Sequence, residues 1–543
     1  MKKKRIRLIF PLAFLFITAG LTGQEAEKPP KNWFNLDPVE NKVNGVSTDK
    51  AYQYLNGKTS KTVVVAVIDS GIDILHEDLK DVLWINEDEI PDNGIDDDNN
   101  GYVDDVYGWN FIGGKDGTNV DKDSYELTRE YKRLSAKYEG KTATDFKKKE
   151  RADFEYWQGV KTQFETLREE SIGQLPLFED IDVQLKRYNK LFEAYLLTER
   201  VDFESIDRLS STDQVILQGQ AVLRSIYSVT DKALSLDSLV HFLGQDLEQM
   251  RLESKVNYNL DFDPRSIVGD DPNRLDDIGY GNNDVIGKNT DNFHGTHVAG
   301  IIAAKRGNGI GIDGVANNVR IMSLRAVPDG DERDKDVANA IRYAVDNGAQ
   351  IVNMSFGKGH SPNIQYVYDA IAYAESKGVL LVHAAGNSGA NIDESDNFPN
   401  DYFGKKKNWP HWIEVGASSW GSEDNYVGSF SNYGKKNVDV FAPGVRINSS
   451  APGNEYKDAD GTSMASPVTA GVAALVLSYF PDLTANQLKD ILMKSVRSMN
   501  GLQVYKPGTG EEVRFSTLSA SGGIINAAEA VKLAESMTLK KKR

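Results

Sequence analysis

Thr62-Val63-Val64-Val65-Ala66-Val67-Ile68-Asp69 is an unbroken β-branched and apolar run that closes on Ser70-Gly71. A strand wetted on one face alternates polar and apolar residues, whereas a strand buried on both faces reads as a continuous run. This stretch therefore predicts a buried parallel strand ending in a turn. Five shorter runs of the same character follow at Arg320–Leu324, Gln350–Met354, Val379–Ala384, Trp412–Val415 and Val438–Phe441. Helical patterns lie between several of them, at Asp334–Asn347, Asn363–Lys377 and Ser463–Tyr479. Strand, helix, strand alternation predicts an α/β fold with a mostly parallel central sheet.

One stretch breaks the rhythm. Residues 116–275 are rich in Lys, Glu, Arg, Leu and aromatics, with few glycines and almost no β-run. Within them Leu185, Tyr188, Leu191, Phe192, Tyr195 and Leu196 keep the three-and-four spacing of an amphipathic helix, with Lys186, Arg187 and Lys190 between. An inserted, mainly helical subdomain is expected there, splitting the main domain into 51–115 and 276–535. Residues 24–50, with Pro29, Pro30 and Pro38, read as an extended polar N-terminal extension too short to fold alone, and 536–543 as a solvated basic tail.

The chain has 543 residues, 40% of them hydrophobic, enough to bury a large core, and a formal net charge of −17. That balance gives no general attraction to nucleic acid. There are no cysteines, which excludes disulfides, thiolate zinc sites, iron–sulfur clusters and a cysteine nucleophile. Lys2, Lys3, Lys4, Arg5 and Arg7 precede the apolar run Leu8 to Leu21, which ends among Ala19, Gly20 and Gly23. That order predicts a signal peptide over 1–23 and export to the periplasm, cell surface or medium. Its removal takes away five positive charges and leaves −22. No later stretch reads as a membrane span, so none is expected after signal cleavage. Nothing in the sequence sets an oligomeric state.

Acyl transfer by a serine needs a hydroxyl, a base, a carboxylate to orient the base, and donors for the oxyanion. Asp69 ends the first predicted strand, where open α/β sheets place catalytic groups. His294 lies in Asn292-Phe-His-Gly-Thr-His-Val-Ala-Gly300, at the head of a small-residue helix. Ser463 lies in Asp460-Gly-Thr-Ser-Met-Ala-Ser-Pro467 at the start of another, where the helix N-terminal field favours developing negative charge.

These three segments, in this order, resemble the Asp, His and Ser signatures of the subtilisin-like serine proteases, the subtilases. His383-Ala-Ala-Gly-Asn-Ser-Gly389 resembles the block that supplies that family's oxyanion-hole asparagine, which maps to Asn387. Asn353-Met-Ser-Phe-Gly357 resembles the segment that lines its specificity pocket and pairs with extended substrate, which marks Ser355, Phe356 and Gly357. The resemblance covers roughly 33–113 and 276–535. It implies a subtilisin-like architecture with helices on both faces of the sheet. It also implies an exported serine endopeptidase acting on proteins or peptides through Asp69, His294 and Ser463, with no cofactor needed for catalysis. A binding or adhesion protein on the same scaffold, and an esterase with the same triad, stand as the rival readings.

Taken singly, an Asp after a strand or a Ser at a helix start is more often a cap than a catalyst; the joint pattern reverses that. His297 is expected to pack or hydrogen-bond rather than react. The interval from Asp69 to His294 is 225 residues, and the helical insertion fills it as a lid over the substrate groove or as a peripheral packing unit. Ahead of the insertion, Asp96, Asp98 and Asn100, the Tyr102 carbonyl and Asp104 stand at positions 1, 3, 5, 7 and 9 of a calcium-loop spacing, with Gly101 at 6. Position 12 is Tyr107, so a bidentate ligand must come from elsewhere, Asp92 or Asp105 being candidates. A structural Ca2+ ion is expected there.

Overall fold

Val63–Asp69 forms strand β1, and its surroundings explain its unbroken apolar run. Val63, Val65 and Val67 join one apolar cluster while Ala66 and Ile68 join another, so both faces are buried and the strand is apolar up to its last residue, Asp69. The computed structural model describes residues 29–228, 230–288, 292–401, 409–421 and 426–541; the predicted signal peptide lies outside the described residues.

The further strands are β2 Gly108–Asn110, β3 Val319–Arg325, β4 Ile351–Met354, β5 Leu380–Ala384, β6 Trp412–Ser418 and β7 Val440–Pro443. After them come the hairpin β8 Ile447–Ala451 with β9 Glu455–Ala459, then β10 Arg497–Ser498, the hairpin β11 Gln503–Tyr505 with β12 Glu512–Arg514, and β13 Gly523–Ile524. Nine of them make one sheet in the order β10-β13-β7-β6-β5-β4-β1-β3-β2. Its pairings are parallel except that of β10 with β13.

The helices are α1 Thr48–Leu55, α2 Glu126–Tyr138, α3 Arg151–Ile172, α4 Leu175–Leu196, α5 Phe203–Asp207, α6 Gln214–Tyr227, α7 Leu236–Leu252, α8 Phe293–Ala303, α9 Asp334–Asp346, α10 Ile364–Ser376, α11 Thr462–Tyr479, α12 Ala485–Lys494 and α13 Ala527–Lys541. Ile302 of α8, Val468 of α11, Leu488 of α12 and Val531 of α13 pack in the cluster that holds Val65. Ile341 of α9 and Ile371 of α10 pack with Ile68 in the other. Helices thus cover both faces of a mostly parallel sheet, as expected. Helix α11 has the length and mean hydropathy (1.2) of a membrane span, contrary to the sequence reading, but 83% of it is buried inside the protein. Its apolarity serves the core.

The chain divides into two compact units, with Arg133–Asn259 in one and Pro29–Lys132 with Leu260–Arg543 in the other. The flanks 116–132 and 260–275 therefore fold with the sheet, inside the limits expected for the helical insertion. The helical unit has its own core, in which Leu185, Tyr188 and Phe192 of α4 meet Leu223 of α6 and Leu243 of α7. Asp202, Asp213 and Ser235 cap α5, α6 and α7 by accepting backbone N–H bonds.

Residues 29–47 are not a loose extension. Trp33 and Phe34 are fully buried in the main core. Trp33 Nε1 donates to the Arg446 carbonyl at 3.0 Å and Asn35 Nδ2 to the Asp313 carbonyl at 2.8 Å. Proline and polar content around these aromatics hid them at the sequence level.

Candidate active site

The parallel sheet brings distant segments together at the ends of its central strands. Asp69 is the last residue of β1; Ser355 follows β4 and Asn387 follows β5, and β5, β4 and β1 are consecutive neighbours. His294 and Ser463 each stand one residue inside an N-terminus, of α8 and α11. All five groups therefore meet at the carboxyl ends of the strands, where such sheets hold their ligands.

His294 Nδ1 lies 2.7 Å from Asp69 Oδ1. Donation from Nδ1–H to the carboxylate leaves Nε2 as the basic nitrogen. Burial alone would push the imidazole down, but the charge of Asp69 and its hydrogen bond outweigh that, so His294 titrates above its ordinary 6.5. Asp69 is 1% exposed and also accepts from the Ser70 N–H at 2.8 Å. The glycine after the histidine has a steric reason: a Cβ on Gly295 would stand 2.2 Å from the Gly71 carbonyl oxygen and 3.2 Å from Asp69 Cβ. Only a bare Cα lets α8 approach β1 closely enough for the His294 ring to reach Asp69.

Ser463 Oγ donates to the Ser355 carbonyl at 3.0 Å, and Ser355 Oγ donates back to the Ser463 carbonyl at 2.9 Å. Among the described residues no hydrogen bond joins Ser463 Oγ to His294, although both line the same groove. Asn387 Oδ1 accepts from the Thr462 N–H and hydroxyl, both at 2.9 Å. That fixes the amide so that its NH2 is free to donate above the first turn of α11. Gly461, at φ +153°, makes the sharp approach to that helix, and a Cβ there would lie 3.5 Å from Asn387 Nδ2.

A groove of about 840 Å³ takes in Asp69, His294, Ser463, Asn387 and Ser355–Gly357. It is also lined by residues without a motif. Asn397 donates to the Ala384 and Ala385 carbonyls at 3.3 and 3.2 Å and so bridges the Asn387 wall. Lys358, directly after Gly357, is 5% exposed and bonded at 2.8 Å to each of Glu126, Asp334 and the Glu332 carbonyl. Burial alone would lower the lysine, but Asp334 and Glu126 hold it above its ordinary value. Burial pushes the Glu332 carboxyl up to about 8. The only sequence signal for this group was a lysine where a groove wall was expected, because its partners are remote in the chain.

His297 lies outside the chemistry, as expected. Its Nε2 faces the Ile447 and Lys457 carbonyls at 3.0 Å each, and burial pushes it down to about 4. His383, given no role from the sequence, is buried with Nδ1 2.9 Å from Glu414, which also accepts from Trp412 Nε1 at 2.8 Å.

In the acidic loop, carboxylate oxygens of Asp96 and Asp98 come together with one of Glu89, all within 4.8 Å of one another. Glu89 was not foreseen; it precedes the loop and also takes the Asp97 and Asp104 N–H groups. Asp104 turns its carboxylate to the Asn93 and Gly94 N–H groups, Asn100 Oδ1 accepts from the Tyr102 N–H, and the Asp105 carboxylate takes the side-chain amides of Asn86 and Asn100. The three clustered carboxylates suit a hard divalent cation such as Ca2+.

The subtilase family model matches residues 60–511, spanning both motif regions. The chain belongs to the subtilase family. Among curated proteins, it is 44% identical to the "Thermophilic serine proteinase" of Bacillus sp. (strain AK1) over 34% of this chain and 43% of that one. It is 37% identical to "Subtilisin BL" of Lederbergia lenta over 40% of this chain and 75% of that one. The match spans about half the length of curated relatives such as the thermophilic serine proteinase, at 43%, and the "Thermostable alkaline protease" of Halalkalibacterium halodurans, at 56%. A protease of Pseudoalteromonas arctica PAMC 21717 superposes on this subtilase with a TM-score of 0.47 and 19% identity, over 93% of this chain and 97% of that one.

Proposed function

We propose that this subtilase is an exported serine endopeptidase. The observation that carries the reading is the 2.7 Å contact of His294 Nδ1 with Asp69 in the same groove as Ser463 and the free amide of Asn387. Ser463 Oγ attacks the carbonyl carbon of a peptide bond while His294 Nε2 takes its proton. The oxyanion is held by the Asn387 amide and the N–H of Ser463 at the start of α11. His294 then returns the proton to the departing amine, giving an acyl-serine that water, activated by the same imidazole, hydrolyses. Asp69 stabilises the imidazolium throughout. The substrate lies extended beside Ser355–Gly357.

The test is labelling of the purified protein with a fluorophosphonate probe, with Ser463→Ala as control and matched peptide and ester substrates. Labelling at Ser463 with peptide turnover, both lost in the variant, is expected; labelling with ester turnover alone would make it an esterase. An unlabelled, folded wild type would end the enzymatic reading and leave a binding scaffold. Export is supported by the charge order of residues 1–23, and sequencing the N-terminus of protein recovered outside the cell tests it.

The acidic loop is supported as a structural Ca2+ site by the clustering of Glu89, Asp96 and Asp98. Bound there, the ion offsets their mutual repulsion and stiffens the loop that leads from β1 to β2. Addition of Ca2+ to chelator-treated protein is expected to raise Tm, and Asp98→Asn to blunt the rise; equal shifts in both proteins would remove the site.

A further inference from the structure

Lys358 joins the two rims of the substrate groove. It continues the Ser355–Gly357 rim, and on its other side its backbone pairs with Phe398, N–H to carbonyl, at 3.0 and 2.8 Å. Its ammonium bonds the carbonyl of Glu332, on the other rim, and the carboxylate of Asp334 at the start of α9. The third donor goes to Glu126, the first residue of α2. All three ammonium hydrogens are then used, so the side chain is a strut of fixed length rather than a cation offered to substrate.

Glu126 is held as firmly. Its N–H donates to Asp331 at 2.8 Å, and Arg129 Nη2 bonds its carboxylate at 2.8 Å and the Asp331 carbonyl at 3.1 Å. Arg129 Nη1 also bonds the Ser124 carbonyl. Burial would raise the Glu126 carboxyl, but Arg129 and Lys358 together keep it ionised. Buried ion pairs add little net stability over apolar packing, whereas their directional bonds fix geometry. Here the geometry fixed is the separation of the rim formed by Asp329, Gly330 and Glu332 from the Ser355–Gly357 rim, both of which line the groove.

We infer that Glu126, acting through Lys358, is a positioning residue for extended substrate: it holds the two rims at the spacing of a bound peptide strand and touches none of the reacting atoms. The start of the helical segment between the Asp and His motifs thereby braces the rims without itself touching substrate. This rests on the peptidase reading above. Binding energy from the non-reacting parts of a peptide is collected along these rims, so their misplacement penalises long substrates and spares short ones.

The test compares a tetrapeptide anilide, selected from a library on the wild type, with a single-residue p-nitrophenyl ester. In Glu126→Gln the KM for the anilide is expected to rise about tenfold or more, while kcat and KM for the ester stay within about threefold of wild type. Lys358→Met is expected to give the same split and serves if Glu126→Gln does not fold. The double variant is expected to be no worse than either single one, since the pair acts as a unit. Equal losses on anilide and ester, or no loss on either, would overturn the proposal and leave the peptidase reading standing. A wild type that labels at Ser463 but cleaves no peptide would overturn the peptidase reading and this proposal with it.

Discussion

At the scale of single residues, the site depends on one hydrogen bond being held in one direction. Asp69 accepts from His294 Nδ1, which puts the basic lone pair on Nε2 and raises the imidazole above 6.5. In the proposed mechanism the neutral ring is the base, so kcat/KM is expected to fall as pH drops through a value above 6.5. Asp69→Asn loses both the charge and the tautomer: kcat is expected to drop roughly 10⁴-fold and the acid limb to move down, both read from a pH–rate profile. Asn387→Leu removes the amide proposed as an oxyanion donor and is expected to lower kcat about 10²- to 10³-fold with little change in KM. An unchanged kcat would place the oxyanion elsewhere. Gly295→Ala has no room for its methyl beside Gly71, and slower fluorophosphonate labelling of Ser463 should accompany its lower Tm.

At the scale of elements, what surrounds the chemistry is buried polar structure whose charge state depends on the fold. His297 of α8 is neutral in the folded protein, at about 4 against an ordinary 6.5. The unfolded chain binds the extra proton between those values, so folding stability is full above 6.5 and falls as pH drops towards about 4. That shift corresponds to about 3 kcal/mol. Denaturant unfolding at several pH values should show the loss in wild type, and His297→Gln should flatten it; parallel curves would assign the acid sensitivity to other groups. The N-terminal segment behaves as an element of the core too. Trp33→Ala, at a fully buried position, is expected to cost about 3–5 kcal/mol. A near-neutral result would mean that the segment is dispensable.

At the scale of the whole molecule, two compact units each enclose their own apolar cluster. The helical unit closes its core with residues from α4, α6 and α7 and caps its own helices. A chain of residues 133–259 is therefore expected to be helical by far-UV circular dichroism and to melt cooperatively when made alone; a non-cooperative melt would show that it borrows stability from the sheet unit.

The sequence by itself determined the parallel sheet, because a strand buried on both faces must be apolar along its length, and Val63–Ile68 is, up to the terminal Asp69. It also marked Asp69, His294, Ser463 and Asn387, since each sits in a local signature at the end of an element and needs only the sheet to meet the others. The burial of Trp33 and Phe34, the inward turn of Glu89, and the strut from Lys358 to Glu126 were settled by tertiary structure alone. None of these has a local pattern. Glu126 and Lys358 are 232 residues apart, and a buried ion pair leaves no periodicity in the chain: each charge reads as solvated until the fold removes the water and supplies its partner.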